Sequence, residues 1–317
     1  DAQDRVQFEM LEGMANHQRR ALFEDTENLL LYAPVCHKEH FLSAIGYLIR
    51  RLDENTGPDN FLRHAFKLVP ESEQWNKLEA GFRESFDRIA TLSDQPRRTQ
   101  DRRNSPPPTN PVVAGWHQFQ NEPDTDWSLP QHAEWAESLV AKWQDRQSNI
   151  PLIVSGHEVL DDRVVCDCLD PSRPDVVVGR YRQANEGDVN NAVECGADDD
   201  DGWRSLGPHQ RQQILQAVAV ELRRSRSELM GAALANCGKT LAESDPEVSE
   251  AVDFVEFYAE TGRWFMEEMS PNIEATGRGV IVVVSPWNFP IAIPCGGIAA
   301  ALSAGNHGLL TPASDTV

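Results

Sequence analysis

Gly279-Val280-Ile281-Val282-Val283-Val284 leads into Ser285-Pro286-Trp287-Asn288-Phe289-Pro290, then into a small-residue stretch from Ile291 to Ser303 that ends at Gly305-Asn306. The β-branched run predicts a buried strand, the Pro-containing hexapeptide a tight turn, and the Ala- and Gly-rich stretch a helix able to pack closely on a sheet. Strand, turn and closely packed helix make half of a dinucleotide-binding fold, although periodicity taken alone favours a buried βα unit without chemistry. Gly279 to Gly305 is also the most apolar part of the chain and is long enough to span a bilayer. Pro286, Asn288, Pro290 and Pro294 interrupt it, which makes it buried strand, loop and helix.

Upstream, Val248, Val252, Val255 and Tyr258 predict a helix that opens after Pro246, a residue suited to a first helical turn. Between His209 and Ala235, Ile214, Leu215, Val218, Leu222, Leu229 and Ala233 recur at helical spacing with arginines between them, the pattern of an amphipathic helix or helix pair whose job is packing. Trp116 to Trp143 mixes aromatics with a helical run, and a new apolar pattern starts at Pro151 to Val154, where a second domain is expected to begin. Gln95 to Thr109 holds Arg97, Arg98, Arg102 and Arg103, then Pro106-Pro107-Pro108; this is the composition of a solvated linker, and no binding role is expected of it. From Val6 to Phe86 the pattern is strand, helix, strand, helix, with apolar runs at Val6 to Leu11 and Leu29 to Val35, as in parallel βα units.

Several local patterns fail inspection. Gly238-Lys239-Thr240 ends like a phosphate loop, but Ala233 stands where that motif needs a glycine. Gly277 and Gly279 precede a strand instead of following one, so no helix terminus is there to hold a pyrophosphate. Cys36, His37 and His40, or Cys166 with Cys168, lack a second ligand pair at metal-site spacing. Asp198 to Asp201 lacks the alternating ligands and terminal glutamate of a calcium loop. No metal site is expected.

The length allows about two domains. Lys+Arg 29 against Asp+Glu 50 gives a net charge of -21, which repels phosphate backbones and anionic headgroups alike, so neither nucleic acid nor a membrane surface is expected as a partner. The six cysteines are scattered, without the spacing of a secreted disulfide framework, and residues 1 to 20 lack the basic start and apolar core of a signal peptide. A cytoplasmic location is expected; oligomeric state is not encoded in these patterns, and a homo-oligomer is left open.

Between Phe41 and Asn55 one helical face collects Leu42, Ile45, Leu48, Ile49 and Leu52, and the other Tyr47, Arg50, Arg51 and Glu54. Adjacent arginines lie about 100° apart around the axis, so they flank one small anion only if it lies beside the helix. Guanidinium forks hold carboxylates bidentately, which suits an amino-acid substrate. Spacing alone favours a plainer alternative, a solvated face with Arg50 and Glu54 as an i,i+4 pair.

The wider sequence reverses that preference. Phe8-Glu9-Met10-Leu11-Glu12-Gly13-Met14, Tyr32-Ala33-Pro34-Val35 and Tyr47-Leu48-Ile49-Arg50-Arg51-Leu52, followed by Glu54-Asn55, closely resemble the last βα units of the proline dehydrogenase barrel. By that resemblance Arg50 and Arg51 hold the proline carboxylate, Tyr32, Tyr47 and Leu11 wall the ring, and Glu54 lies near FAD. Binding the remote carboxylate would turn the reacting carbon toward the flavin. Cys36 replaces the family's usual glycine after Pro-Val, a departure that bears on the loop and not on the arginine pair.

Ser285 to Pro290, with Ala304-Gly305-Asn306 downstream, strongly resembles the aldehyde dehydrogenase superfamily. Gly238 to Val248, and Asn121-Glu122-Pro123 with Asp126-Trp127, are similar to its proline-catabolic branch. The two halves together resemble the bifunctional proline utilization A family. The fold class this implies is α/β: C-terminal βα units of a proline dehydrogenase (β/α)8 barrel in residues 1–92, linker and arm in 93–150, and the N-terminal part of an aldehyde dehydrogenase Rossmann-like, NAD-binding domain in 151–317.

The resemblance also implies roles. Asn288 would donate its amide to the oxyanion formed when a cysteine attacks the aldehyde. Ser285, Pro286, Trp287, Thr311 and Ser314 fall at NAD-binding positions, with Thr311 in place of the family's ribose-binding lysine and Ser314 in place of a frequent glutamate. The implied chemistry is FAD-dependent oxidation of proline to pyrroline-5-carboxylate, hydrolysis to glutamate semialdehyde, and NAD-dependent oxidation to glutamate. None of the six cysteines stands in the nucleophile's sequence context, so that cysteine and the carboxylate base are expected beyond Val317, most of the flavin site before Asp1, and this stretch alone is expected to be inactive. Two readings compete: a degenerate, noncatalytic binding or scaffold protein of the same family, and a general aldehyde dehydrogenase fused to an unrelated helical arm, which the Tyr32 to Asn55 match disfavours.

Overall fold

The computed structural model describes residues 7–11, 16–26, 28–33, 35–64, 68–104, 115–269 and 275–317. Val6, Glu12, Gly13, Met14, Pro34 and the proline run 106–108 lie outside the described residues. The chain divides into two compact units, Asp1–Pro96 and Arg97–Val317. No described helix is long and apolar enough to cross a membrane.

The first unit holds β1 (Phe8–Leu11), α1 (Asn16–Asp25), β2 (Leu29–Tyr32), α2 (Phe41–Thr56), α3 (Phe61–His64) and α4 (Glu73–Arg88). β1 and β2 pair in parallel, with Phe8 opposite Leu29 and Leu11 opposite Tyr32. A parallel pair needs a crossover, and α1 supplies it. The alternation read from the sequence is therefore present, and α2 covers the amphipathic stretch. The apolar face of α2 does not become core within this unit: Leu42 and Ile49 remain 82% and 55% exposed. α4 starts where the Ser72 hydroxyl accepts from the Trp75 N–H, and the pairs Glu79–Arg83 and Glu84–Arg88 mark its solvated side.

The second unit runs α5 (Pro130–Trp143), β3 (Ser148–Ile150), β4 (Leu152–Val154), β5 (His157–Val159), β6 (Val165–Leu169), β7 (Val177–Arg182), α6 (Glu186–Asp198), α7 (Pro208–Arg224), α8 (Arg226–Ala232), α9 (Leu241–Trp264), β8 (Val280–Val284), α10 (Ala292–Ser303) and β9 (His307–Thr311). β8 and β9 are parallel, from Val280 opposite His307 to Val284 opposite Thr311, with α10 as their crossover. Small residues in α10 have a concrete reason: a Cβ on Gly297 would come within 2.7 Å of a Val283 methyl. A second sheet, in the order β3-β7-β6, joins a parallel and an antiparallel pair, and β4-β5 is a hairpin.

Two apolar clusters hold this unit together. One sets Trp135, Leu139 and Trp143 of α5 against Met230 and Val248; the other joins Leu215 and Ala219 of α7 to Val252, Val255 and Ala259 of α9 and to Ala299 of α10. The stretch from His209 to Ala235 is thus a packing helix pair, broken at Ser225.

Two expectations are corrected. α9 does not open after Pro246 but at Leu241, because Thr240 caps it: the Glu243 carboxylate accepts from the Thr240 N–H at 2.9 Å in a capping box. Pro246 then sits inside the helix, where it removes one backbone donor and its ring crowds the carbonyl four residues back. The arginine-rich segment is not a solvated linker throughout. Arg102 donates to the Pro123 carbonyl at 2.6 Å and to the Thr125 hydroxyl at 3.1 Å, and Arg98 reaches the Ser128 hydroxyl at 2.5 Å. Residues from Arg97 onward belong to the second unit.

The clamp on the arm is charged. The Thr125 N–H and hydroxyl both donate to the Asp245 carboxylate at 2.6 Å, and Arg226 donates to the same carboxylate at 2.7 Å. Glu122 accepts from Arg223 at 2.7 Å and from Arg226 at 3.3 Å. Composition reads such a segment as linker because its partners lie far away in sequence.

Candidate functional site

In the first unit, Tyr32 ends β2 beside Leu11 of β1, and Tyr47, Arg50, Arg51 and Glu54 come from α2. The Tyr32 and Tyr47 rings lie 5.8 Å apart between centroids. The Arg51 and Arg50 guanidinium carbons stand 5.0 and 6.0 Å from the Tyr47 ring centre. Arg51 donates to the Glu54 carboxylate at 2.8 Å, and Arg50 lies 3.8 Å from the same oxygen. The bond to Tyr47, followed by burial, raises the pKa of the Tyr32 hydroxyl above the usual phenol range. All six residues that the sequence assigned to substrate or flavin here are neighbours through strand register or side-chain contact.

Two cations flank an aromatic wall, and one carboxylate bonds the Arg51 fork and lies within ion-pair range of Arg50. The Arg51 Nε–H is buried with no partner among the described residues, a donor left over after Glu54 is satisfied. That arrangement suits a small carboxylate beside the helix. It does not make a flavin cradle, since Glu54 is the only residue assigned to FAD and its carboxylate is engaged by Arg51.

In the second unit the carboxyl edge of β8 and β9 gathers the other group. Buried Ser285 follows β8, and its N–H and hydroxyl point to the Thr311 carbonyl at 3.2 and 3.4 Å. Thr311 and Ser314 are exposed, Pro286 is half-buried, and Trp287 is 59% exposed. Ligands of open α/β sheets bind outside the carboxyl ends of the strands, which is where these residues stand. Their hydroxyls and indole fit a ribose held by neutral hydrogen bonds; none of the five brings a positive charge. Asn288 is exposed, and its carboxamide has no hydrogen-bond partner among the described residues.

Sequence reasoning missed what holds this turn. The Cys237 thiol donates to the Trp287 carbonyl at 3.4 Å, and the Lys239 ammonium lies 4.3 Å from the Phe289 ring centre. The Ile291 and Ala292 N–H groups donate to the Glu247 carboxylate at 2.7 and 3.1 Å, and Lys239 forms an ion pair with Glu247. Lys239 is thus a partner of Glu247 and not part of a phosphate loop. The signal available was the pairing of Lys239 with Glu247 across the opening of α9.

Three thiols are poor nucleophiles by environment. Burial pushes Cys295 up to about 11 and also raises Cys168 and Cys237, so each is protonated at neutral pH. The acidic run after α6 is tied to β9: the His307 Nε2 lies 3.1 Å from Asp201 and 3.4 Å from Asp199. These three ligand atoms lie within 4.8 Å of one another.

Comparison with known proteins places both sites in context. Residues 1–64 match the proline dehydrogenase family, and residues 160–317 match the aldehyde dehydrogenase family. The bifunctional protein PutA of Salmonella typhimurium is 29% identical over 293 residues, which is 90% of this chain and 20% of that protein. The 1-pyrroline-5-carboxylate dehydrogenase 1 of Halalkalibacterium halodurans is 30% identical over 62% of this chain and 40% of its own length. Among solved structures, proline utilization A from Bdellovibrio bacteriovorus, inactivated by N-propargylglycine, matches with a TM-score of 0.64 and 25% identity over 98% of this chain and 31% of that one. A Thermus 1-pyrroline-5-carboxylate dehydrogenase with bound NAD gives 0.58 and 27%, over 62% of this chain and 40% of that one. The chain thus spans a fifth to two fifths of the length of the relatives it matches.

Proposed function

For a chain that belongs to the bifunctional PutA family, with a proline dehydrogenase segment at 1–64 ahead of an aldehyde dehydrogenase segment at 160–317, we propose a part in two consecutive oxidations. Proline loses two hydrogens to give pyrroline-5-carboxylate, water opens that ring to glutamate semialdehyde, and the aldehyde is oxidised to glutamate. FAD is proposed as the acceptor of the first oxidation and NAD of the second. The observation that carries this is the gathering of Tyr32, Tyr47, Arg50, Arg51 and Glu54 in the same chain as the exposed Asn288 turn.

In this reading Arg50 and Arg51 receive the proline carboxylate, Glu54 keeps their forks aligned, and Tyr32, Tyr47 and Leu11 wall the ring. Asn288 offers its N–H to the oxygen that becomes negative when the aldehyde is attacked. Ser285, Pro286, Trp287, Thr311 and Ser314 line the place proposed for NAD. Domain limits near 92 and 150, the closed barrel, a cytoplasmic location and a homo-oligomeric assembly belong to the same proposal.

The test is made in a protein of PutA length. Arg50→Met and Arg51→Met are each expected to weaken proline binding by about 1.5 to 3 kcal/mol, the worth of a charged hydrogen bond, which is roughly 10- to 150-fold. Flavin content should stay at the wild-type level. Unchanged proline kinetics in both variants would return Arg50 and Glu54 to the role of a surface ion pair.

Thr311 supplies a second expected result. A neutral hydroxyl bonds a ribose less strongly than an ammonium, so Thr311→Lys should tighten NAD binding by about 1 to 2 kcal/mol. Calorimetric titration of NAD into both proteins decides it. Equal dissociation constants would mean that another residue makes the ribose contact.

A further inference from the structure

We propose that Glu247, with Lys239 as its counter-ion, is the positioning residue of the Asn288 turn and sets the turnover of the aldehyde step without touching substrate; this rests on the aldehyde-oxidising reading of Asn288. α10 opens with a demand its own sequence does not meet. Its N-cap is Ile291, which has no side-chain oxygen, and the first N–H groups of a helix need acceptors. Glu247 of α9, 2% exposed, meets it by accepting from Ile291 and Ala292 with one carboxylate oxygen. A carboxylate beside a helix N-terminus also meets the positive end of the dipole.

Burying a carboxylate is costly unless it is paired, and Lys239 pairs it through the other oxygen. The same ammonium covers the ring of Phe289, the residue after Asn288, while Cys237 holds the carbonyl of Trp287, the residue before it. The clamping turn is itself fixed. Gly238 has φ +69, and a Cβ there would come within 2.8 Å of Pro171. Both neighbours of Asn288 are therefore pinned from outside the strand-turn-helix unit, and the carboxamide is left free to donate. A donor acts on a transition state only if it is already aimed, and a misplacement of about 1 Å costs roughly a hundredfold.

The experiment compares Glu247→Ala, Glu247→Gln, Lys239→Met, Asn288→Ala and the double variant Glu247→Ala/Asn288→Ala in a protein of PutA length. Glu247→Ala should lower kcat for aldehyde oxidation roughly ten- to a hundredfold with KM within about twofold. Glu247→Gln keeps a carbonyl oxygen for Ile291 and Ala292 and should retain most of the activity. The double variant should be no slower than Asn288→Ala alone, because positioning a donor that is absent has no effect. Losses that multiply in the double variant would overturn the proposal, as would Glu247→Gln falling as far as Glu247→Ala. If Glu247→Ala does not fold, Lys239→Met takes its place in the same comparison. A wild-type rate in Asn288→Ala would instead sink the reading of Asn288, and the proposal with it.

Discussion

Asn288→Ala, in a protein of PutA length, is expected to cut the turnover of aldehyde oxidation by about 10² to 10³, or about 2.7 to 4 kcal/mol of barrier, while KM for the aldehyde hardly changes. The asymmetry follows from when the charge exists. The oxygen that Asn288 serves becomes negative only after nucleophilic attack, so its donor contributes to the transition state and little to the ground state. The exposed carboxamide, free of partners among the described residues, is available for that bond without first giving up another. Steady-state rates with varied aldehyde and saturating NAD separate the parameters, and proline oxidation in the same preparation should run at the wild-type rate. A raised KM at constant kcat would make Asn288 a ground-state contact.

Asp245→Ala is expected to cost about 3 to 5 kcal/mol of stability, the penalty for stripping one partner from a buried ion pair. Asp245 is fully buried and accepts from Arg226 and from the Thr125 N–H and hydroxyl, so its removal takes one of two carboxylate partners from buried Arg226, which keeps Glu122, and leaves the buried Thr125 N–H without its acceptor. Arg98→Ala is the contrast. Arg98 bonds to Ser128 and lies 3.5 Å from Asp126, but its side chain is 68% exposed, and exposed pairs are worth about 0 to 1 kcal/mol. Urea unfolding followed by tryptophan fluorescence measures both. Similar midpoint shifts for the two variants would mean that burial does not set the strength of the arm's attachment.

The parts of the fold legible in the sequence are those whose causes are local. Gly279 to Ser303 declares strand, turn and helix because β-branched residues, prolines and small residues follow one another in order, and the structure has them in that order. α2 was readable from its two faces, and its arginines gained meaning only from the tyrosines around them. The opening of α9 was misplaced because a proline is a louder local signal than a capping box, yet Thr240 and Glu243 decide the first turn. Arg102 was assigned to solvent because nothing within its own segment pairs with it. The clamp on Asn288 was hidden for the same reason, since Glu247 reaches Ile291 across 44 positions. Periodicity carries no information on such contacts.

The arm's attachments have a kinetic meaning. Thr125 meets Asp245 across 120 positions, Glu122 meets Arg226 across 104, and Asn121 meets Asp253 across 132. Closing a loop of that length costs about 4 kcal/mol of chain entropy, so these bonds cannot nucleate anything. They are expected to form once α7, α8 and α9 present their charged side chains together. The segment from Asn121 to Thr125 is therefore expected to set late, and a substitution within it to speed unfolding more than it slows folding, which paired folding and unfolding rates would measure.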